Sequence, residues 1–299
     1  MMKNKISVVI NTFNEEENIE RALKSVKWAD ETVVCDMLSG DKTAEIAKKM
    51  GAKVVLHKPQ KYVELVRNFN ISQASNDWVL ILDPDEEIPE SLAKKIQEVT
   101  EMDGVTFAEI PRKNIIFGKW MENSMWWPDY NIRLFKKGSV VWSEEIHRPP
   151  QTEGKGFQLD STEDLAIIHH HYESISQFIT RMDRYTTAQA GELAKSGYKL
   201  NWKDLIEKPV SEFLNRYFAG RGYEDGLHGL ALGLLQALSF LVMYLKVWEE
   251  EKFKEQKLQF KEVSDEGKKI GKEINYWFKY GNLSKNPIIR AFQKAKNKF

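Results

Sequence analysis

The chain has 299 residues, enough for one large domain or for one domain with an appendage. Its 44 basic and 44 acidic side chains balance, so the overall charge does not indicate a nucleic-acid-binding protein. The single cysteine, Cys35, excludes an internal disulfide, and its apolar neighbours predict a buried strand residue rather than a nucleophile. The apolar run at residues 6–10 is too short for a signal peptide, so we expect a cytoplasmic protein.

Short apolar runs alternate with helical patterns over the first hundred residues. The runs predict strands at residues 6–10, 32–35, 53–56 and 78–82. The patterns between them predict helices at residues 16–26, 43–50 and 62–74. Continuously apolar strands are typical of a parallel sheet that is covered on both faces. The alternation therefore predicts a doubly wound α/β domain.

The pattern changes after residue 104. Strands without regular helices between them are predicted at residues 105–110, 131–135, 140–142 and 165–169. Beyond Ser174 the chain is predicted to be mostly helical. We therefore expect a catalytic domain at residues 1–173 and a helical appendage at residues 174–299.

Polar side chains follow three of the predicted parallel strands. Residues 11–15 follow the first strand, Asp36 follows the second, and residues 83–87 follow the fourth. Ligands of a doubly wound sheet bind beyond the carboxyl ends of its strands. The three clusters therefore predict one polar rim at one edge of the sheet.

The acidic cluster Asp83-Pro84-Asp85 has the spacing of a metal site. Residues i and i+2 of an extended chain point the same way, and Pro84 favours an extended Asp83, so both carboxylates could face one cation. Magnesium or manganese suits such oxygen ligands and commonly keeps a bound phosphate as well. The alternative is an acidic turn at the start of the helix predicted near Pro89.

No glycine-rich phosphate loop follows the first strand. A Rossmann dehydrogenase would show G-x-G-x-x-G there, whereas the first glycine of this chain is Gly40. A diphosphate bound at this edge would therefore need a metal ion, which favours the metal interpretation of the acidic cluster.

Four segments, taken in order, resemble family-2 glycosyltransferases, whose catalytic domain has the GT-A fold. They are the first-strand segment at residues 8–16, Asp36 with residues 39–43, the D-x-D region at residues 77–86, and residues 127–135. The similarity covers about residues 6–175 and is greatest to glucosyltransferases of the lipopolysaccharide core and capsule. Met37 and Leu38 depart from the family pattern after the second strand.

The resemblance implies a site for a nucleotide sugar, with a uridine diphosphate donor preferred. Its donor-binding residues would be Thr12, Phe13, Glu15, Asp36, Arg67, Asp83, Pro84, Asp85 and Arg133. Phe13 and Glu15 would lie against the base and ribose, and Asp36 would accept a hydrogen bond from the base. Arg67 would lie near the diphosphate. Glu15 could instead be a helix-start carboxylate, and Arg67 could pair with Glu64 on a helix surface.

The resemblance also implies the catalytic groups. Asp83 would contact the ribose or the metal, Asp85 would bind the metal directly, and Glu87 would be a further ligand of the magnesium or manganese ion. Asp129 is the candidate base that deprotonates the acceptor hydroxyl in an inverting transfer. Glu144 and Glu145 are rival bases, and Arg133 could bind phosphate or fix Asp129.

Two histidine segments complete the candidate residues. His147-Arg148 stands where relatives tend to have His-Glu, which indicates a different acceptor, such as an anionic one. In the run His169-His170-His171, strand alternation sends the middle ring to the opposite side. His171 matches a family histidine that approaches the metal in some relatives.

The appendage contains a leucine-rich segment without charged side chains, residues 226–245. Its length meets the threshold of roughly 18 residues for a membrane span. A helix lying in the membrane surface is preferred over a full span and over a buried core helix. With the basic residues 290–298, this predicts a protein at the cytoplasmic membrane surface that acts on a glycan or lipid-linked acceptor.

Two other functions compete with an inverting glycosyltransferase of cell-envelope polysaccharide biosynthesis. A nucleotidyltransferase has a similar topology but would need a glycine-rich, basic first loop, which is absent. A non-catalytic, membrane-associated protein that binds sugar nucleotides would not need Asp83, Asp85 and Asp129 together.

Overall fold

A computed structural model describes residues 4–60, 64–143 and 149–281, except for the side chains of residues 64, 65 and 280. The rival bases Glu144 and Glu145, the pair His147-Arg148 and the basic residues 290–298 lie outside this range. The chain forms two compact units. The sheet unit comprises Met1–Ile115 and Trp127–His171, and the helical unit comprises Ile116–Trp126 and Tyr172–Phe299. This division differs from the predicted one, because residues 116–126 belong to the helical unit.

The elements of the sheet unit follow the predicted alternation of strands and helices. Its strands are β1 (Ile6–Thr12), β2 (Glu31–Asp36), β3 (Lys53–Leu56), β4 (Trp78–Leu82), β5 (Glu86–Glu87) and β6 (Val105–Ile116). After the short β7 (Lys119–Trp120) come β8 (Asp129–Lys136), β9 (Val140–Val141), β10 (Gln151–Thr152), β11 (Lys155–Gln158) and β12 (Ile167–Tyr172). The helices are α1 (Ile19–Ser25), α2 (Thr43–Lys49), α3 (Glu64–Ser72) and α4 (Glu90–Thr100).

The main sheet is mixed. Its strand order is β3-β2-β1-β4-β8-β6-β12-β5, with β11 beside β6. The first four of these strands are parallel to one another, and β8 then pairs antiparallel with both β4 and β6. The α/β class predicted from the sequence is therefore confirmed, and the carboxyl ends of β1, β2 and β4 lie side by side.

The core covers both faces of the parallel strands. Val8, Ile10 and Leu80 belong to one buried cluster, whereas Val9 and Ile81 belong to the other. Alternate side chains of one strand thus enter different cores, which explains why β1 and β4 are apolar along their whole length.

Cys35 lies on β2 and is fully buried. Burial raises the pKa of its thiol to about 12. The burial confirms the prediction of a buried strand residue, and the raised pKa disfavours the thiolate that a nucleophile would need.

The helical unit contains α5 (Ile175–Lys195), α6 (Asp204–Leu214), α7 (Leu227–Glu250) and α8 (Phe260–Tyr280). One side of α7 packs on α5 through Leu232 and, farther along, Tyr244 and Val247. At its start, Gly229 lies against the backbone of Gly222, where an added Cβ would be 1.8 Å from the carbonyl oxygen. Within the described residues, α7 alone is long and apolar enough to cross a membrane, judged by length and composition only.

Candidate active site

Asp83 and Asp85 follow directly after the buried strand β4. Arg133 donates from Nη2 to Oδ2 of Asp83 at 2.6 Å, and the Asp83 side chain is 28% exposed. Asp85 is buried, and its Oδ2 lies 3.7 Å from Nε2 of His169. Both carboxylates therefore stand at the carboxyl end of β4, where ligands of this sheet type bind.

A buried ion pair of Arg133 and Glu86 lies beneath them. The same Nη2 of Arg133 is 2.6 Å from Oε1 of Glu86, whose side chain is fully buried. Burial raises the pKa of Glu86 despite the nearby charge of Arg133. Burial opposes ionisation of Asp83 too, but the charges of Arg133 and Arg67 outweigh it and hold the pKa of Asp83 well below its ordinary value. Asp83 is therefore a carboxylate, as a metal ligand must be.

Asp129 begins β8 opposite Arg112 of β6. Arg112 donates from Nε and Nη2 to Oδ2 of Asp129, at 2.9 and 2.7 Å. Nδ2 of Asn114 donates to the same oxygen at 3.1 Å, and Nδ2 of Asn131 donates to Oδ1 at 3.1 Å. Burial alone would raise the pKa of Asp129, but the charge of Arg112 and these hydrogen bonds hold it below its ordinary value. The carboxylate is thus ionised and fixed in direction.

Glu86 links the two acidic positions. Its Oε1 lies 2.6 Å from Arg133, which holds Asp83, and 3.5 Å from Nη1 of Arg112, which holds Asp129. The acidic cluster after β4 and the carboxylate at the start of β8 are therefore parts of one network of charged side chains in the sheet unit.

The histidines of β12 divide as strand alternation predicts. His169 and His171 lie on one side, with Nε2 of His169 3.2 Å from Nδ1 of His171. His170 points the other way, and its Nε2 is 2.5 Å from Oε1 of Glu87. Nδ1 of His169 is 2.7 Å from Oδ1 of Asn114. Because an amide oxygen only accepts, Nδ1 of His169 is the donor of this bond, and Nε2 is the ring nitrogen that faces His171 and Asp85.

The residues around Asp85 suit a divalent cation. Within the described ranges no group of three or more His, Cys, Asp or Glu residues forms a preassembled metal cage. Carboxylates of Asp83 and Asp85 with a phosphate-bearing ligand match how magnesium and manganese bind beside phosphates. Glu87, predicted as a third ligand, contacts His170 and Arg21 instead, the latter at 3.4 Å. All three carboxylates thus have a charged or histidine neighbour, and the metal roles of Asp83, Asp85 and Glu87 stay predictions.

The predicted rim residues of β1 and β2 have different surroundings. Thr12 and Asp36 are buried, and Oγ1 of Thr12 donates to Oδ1 of Asp36 at 2.9 Å. Glu15 accepts from Nδ2 of Asn18 at 2.9 Å, and its carbonyl accepts the first backbone bonds of α1, as a helix-start residue would. Phe13 is 48% exposed. Only Phe13 among these presents a large surface to a ligand.

Arg67 of α3 lies beside Trp142, its guanidinium carbon 5.6 Å from the ring centroid. Its charge also reaches Asp83, where it lowers the pKa. Both observations agree with a place near the acidic cluster, and its predicted contact with a diphosphate stays a prediction.

Comparison with known proteins decides the family. The model of glycosyl transferase family 2 matches residues 7–152. An uncharacterized glycosyltransferase of Rickettsia typhi is 30% identical over 261 residues, covering 82% of this chain and 87% of the relative. The chain belongs to glycosyltransferase family 2. This membership favours a glycosyltransferase over the nucleotidyltransferase alternative, and the predicted GT-A fold class is confirmed with it.

One further relative and one solved structure are also similar to this chain. The lipopolysaccharide core biosynthesis glycosyltransferase LpsC of Rhizobium meliloti is 22% identical over 256 residues, covering 83% of this chain and 94% of LpsC. A crystal structure of glucosyl-3-phosphoglycerate synthase from Mycobacterium tuberculosis, in complex with Mn²⁺, UDP and glucosyl-3-phosphoglycerate, is 24% identical. It aligns with 38% of this chain and 45% of that chain, at a TM-score of 0.32.

Two residues of the site, Arg112 and Asn114, were not predicted from the sequence, whereas Glu86 and His169 were predicted only as members of the segments 83–87 and 169–171. Arg112 and Asn114 are separated by one residue on the long strand β6, so alternation places both on one face. That spacing is a signal that sequence analysis could have used. Their partner could not be found in this way, because the pairing of Arg112 with Asp129 depends on the register of β6 and β8.

Proposed function

We propose that this glycosyltransferase is metal-dependent and inverting, and that it moves a sugar from a nucleotide sugar, preferably a UDP-sugar. The acceptor is a glycan or lipid-linked molecule of cell-envelope polysaccharide biosynthesis. The observation that carries the proposal is the network through Glu86, which joins Asp83 to Asp129. It supports a site in which one carboxylate group serves the donor and another serves the acceptor.

Asp129 is the proposed base. Its Oδ1, which accepts one hydrogen bond from Asn131, takes the proton of the acceptor hydroxyl as that oxygen bonds to the anomeric carbon. The bond from the anomeric carbon to the donor phosphate breaks, and its electron pair leaves with the nucleoside diphosphate. Arg112 and Asn114 hold Oδ2 and so orient the carboxylate during this step.

Asp83 and Asp85 are the proposed ligands of magnesium or manganese. Bound there, the ion would act as a Lewis acid that stabilises the departing diphosphate. Arg133 keeps Asp83 ionised, and Arg67 adds positive charge on the same side. The positive charges of Arg133 and Arg67 thus offset negative charge of the acidic cluster.

A donor screen tests this function. UDP-, GDP- and TDP-sugars are incubated with and without Mn²⁺, and release of the nucleoside diphosphate is measured. We expect turnover of at least one donor with the metal and none after chelation. Asp129→Asn should lower acceptor-dependent turnover by about 10²- to 10⁴-fold while donor binding persists. The exposed Asp160 offers a matched control, and Asp160→Asn should leave turnover unchanged.

Two outcomes of these experiments would contradict parts of the proposal. If Asp129→Asn left turnover unchanged, a residue other than Asp129 would be the base. Binding of donors without turnover under any condition would favour the non-catalytic sugar-nucleotide-binding alternative.

The leucines on the outer face of α7 support a second part of the proposal, attachment to the cytoplasmic membrane surface. Leu227, Leu234, Leu238 and Leu245 are 78%, 54%, 39% and 38% exposed. Their spacing of seven, four and seven residues places them on one side of the helix. The side that holds Tyr244 and Val247 is buried. A helix with one packed face and one leucine face is suited to lie in a membrane surface.

Flotation with phospholipid vesicles tests this attachment. We expect the wild type to float with vesicles that contain anionic lipid, and Leu234→Glu with Leu238→Glu to remain in solution. Leu258→Glu changes an equally exposed leucine outside α7 and should float like the wild type. A wild type that stays in solution with every vesicle would contradict membrane attachment but not the transfer reaction.

A further inference from the structure

The strand β6 lies between β8 and β12 in the main sheet, and its residue Asn114 contacts side chains of both neighbours. Nδ2 of Asn114 donates to Oδ2 of Asp129 on β8 at 3.1 Å, and Oδ1 of Asn114 lies 2.7 Å from Nδ1 of His169 on β12. Adjacent strands are about 4.8 Å apart, so a short amide on the middle strand can reach both sides. Asn114 therefore joins the proposed base to a histidine that has no part in the reaction as described so far.

The two ends of this chain of hydrogen bonds determine its polarity. The carboxylate of Asp129 can only accept, so the amide nitrogen of Asn114 is the group turned towards it. The amide oxygen then faces His169, and because that oxygen only accepts, Nδ1 of His169 carries the hydrogen. An amide turned over end for end would bring its oxygen against the carboxylate and its nitrogen against the N–H of the ring. The histidine thus favours the one orientation in which Asn114 donates to Asp129.

Burial makes this bond from the histidine consequential. Asn114 is 1% exposed and His169 is 4% exposed, so surface water does not readily replace a bond that is lost between them. A buried amide oxygen that loses its donor costs free energy comparable to that of the hydrogen bond at the other end of the amide. Without His169, the amide therefore gains about as much by turning to another donor as it loses at Asp129.

The orientation of the amide bears on the direction of the proposed base. Oδ2 of Asp129 accepts from Asn114 and from Arg112, which leaves Oδ1 as the oxygen proposed to take the proton. If the amide presented its oxygen to Oδ2, the two oxygens would repel each other and the carboxylate would rotate away. Oδ1 would then leave the position from which it acts.

The second nitrogen of the His169 ring has neighbours of its own. Nε2 lies 3.2 Å from Nδ1 of His171 and 3.7 Å from Oδ2 of Asp85, a proposed metal ligand. His169 could therefore act on the base through Nδ1 or on the metal end of the site through Nε2. The contact of Nδ1 with Asn114 is the shortest of the three, and 3.7 Å is too long for a hydrogen bond, so the geometry favours Nδ1.

We propose that His169 is a positioning residue for the base: its Nδ1–H holds the amide of Asn114 so that Nδ2 of Asn114 stays turned towards Asp129. Asn114 transmits this effect, and neither residue contacts a reacting atom. The inference rests on the proposed role of Asp129 as the base. Because the chain of hydrogen bonds ends at that carboxylate, His169 influences the rate of transfer rather than the binding of the donor.

Two substitutions separate the roles of the two ring nitrogens. The amide nitrogen of asparagine is attached to Cγ, as Nδ1 of histidine is, whereas the amide of glutamine lies one atom further out, near the position of Nε2. His169→Asn therefore keeps a donor for Asn114. His169→Gln keeps a polar group on the side of Asp85 and His171 and removes that donor. The two variants are matched in chemistry, so each is the control of the other.

Kinetics on the full chain test the proposal. Release of the nucleoside diphosphate is measured with the sugar nucleotide that the wild type turns over in the donor screen, and kcat and KM are determined separately. His169→Gln should lower kcat by about 10- to 100-fold, because a misplaced catalytic group costs up to about hundredfold. His169→Asn should keep kcat within about threefold of the wild type. The KM for the donor should change by less than about twofold in both variants.

A change at Asn114 tests the second link of the chain without altering the histidine. Asn114→Asp still accepts from His169 but cannot donate to Asp129, so kcat should fall by about 10- to 100-fold. Adding His169→Gln to Asn114→Asp should lower kcat by no more than about twofold further, because the effect of His169 passes through Asn114. Calorimetry with Mn²⁺ and the nucleoside diphosphate of the same donor shows which variants retain a folded donor site. If the histidine variants do not fold, an unchanged kcat in Asn114→Asp contradicts the proposal and a lowered kcat supports it.

Four results would overturn the proposal. A slow His169→Asn with a fast His169→Gln would assign the role to Nε2 at the metal end. Wild-type kcat in both variants would show that His169 does not position the base, and an equal loss in both would show that the ring has only a structural role. Full multiplication of the two losses in the double variant would show that His169 acts independently of Asn114. By contrast, a wild type that turns over no donor, or an Asp129→Asn variant that is as fast as the wild type, contradicts the proposed function itself and is recognised before the histidine variants are compared.

Discussion

Arg112 sets the pKa of the proposed base. Its guanidinium contacts Oδ2 of Asp129 twice, and its charge is the main influence that opposes burial of that carboxylate. A base must be ionised to act, so the acid limb of the pH–rate profile reports this pKa. With Asp129 as the proposed base, we therefore expect this contact to extend activity towards low pH.

Replacing Arg112 should move the acid limb. With Arg112→Gln the pKa of Asp129 rises, so more of the carboxylate is protonated at a given pH and the limb of kcat shifts to higher pH by about one unit. Lys113→Gln removes a positive charge from the same strand, but Lys113 pairs with Glu163, so the limb should stay in place. A limb unchanged in Arg112→Gln would show that another group limits the rate at low pH.

Arg133 is the counter-charge of two carboxylates at once. It is 4% exposed and lies 2.6 Å from both Asp83 and Glu86. Removing one partner of a buried ion pair leaves an uncompensated charge, which costs about 3–5 kcal/mol. The structural contribution of Arg133 is therefore expected to be large whatever its part in donor binding.

Urea denaturation checks the role of Arg133. Arg133→Met should lower the free energy of unfolding by about 3–5 kcal/mol at neutral pH. Arg21→Met breaks the pair with Glu87, whose members are about one third exposed, and should cost less than about 1 kcal/mol. Similar losses in the two variants would mean that the network around Glu86 is not compensated through Arg133.

Among the elements, α7 has a close backbone approach at its start. A Cβ on Gly229 would lie 1.8 Å from the carbonyl oxygen of Gly222 and 2.6 Å from its carbon. Backbone cannot move aside as a flexible side chain can, so any larger residue forces the start of the helix away from its support.

Alanine substitutions in two helices should have opposite effects. Gly229→Ala should lower the free energy of unfolding by about 3 kcal/mol, a cost of overpacking. Gly271→Ala in α8 meets nothing within 4 Å and should raise it by about 0.5–1 kcal/mol through helix propensity. Thermal unfolding followed by circular dichroism gives both signs, and a neutral Gly229→Ala would mean that α7 does not pack on Gly222.

The strands show how far sequence patterns reach. β3 and β4 have their predicted bounds, and β4 is a fully buried apolar run bounded by Asp77 and Asp83. β1 continues to Thr12, two residues beyond its predicted end, since Asn11 and Thr12 still pair with Cys35 and Asp36. β6 continues beyond its predicted end at residue 110 and ends at Ile116, and pairing with β8 supports this continuation as far as Arg112. Apolar patterns thus predict the bounds of a strand that is buried on both faces. They underestimate the length of strands whose ends carry polar residues of the site.

At the scale of the whole molecule, the candidate site could be predicted in part. The motifs indicate Asp83, Asp85 and Asp129 because each follows a recognisable strand or loop. The partners of these residues lie 17 to 50 positions away along the chain, as with Arg112 and Arg133. Such contacts follow from sheet register and strand order, which local patterns do not contain. The inward orientation of Asp36 is of the same kind, because it depends on Thr12 of the neighbouring strand.

The central claim is that Asp83 and Asp85 hold a divalent ion that in turn holds a diphosphate. Calorimetry of the double variant Asp83→Ala, Asp85→Ala tests it most directly, with Mn²⁺ and the nucleoside diphosphate that binds the wild type most tightly. We predict that affinity falls at least about hundredfold and that the remaining binding no longer depends on Mn²⁺. The same affinity and the same Mn²⁺ dependence in wild type and double variant would contradict the claim.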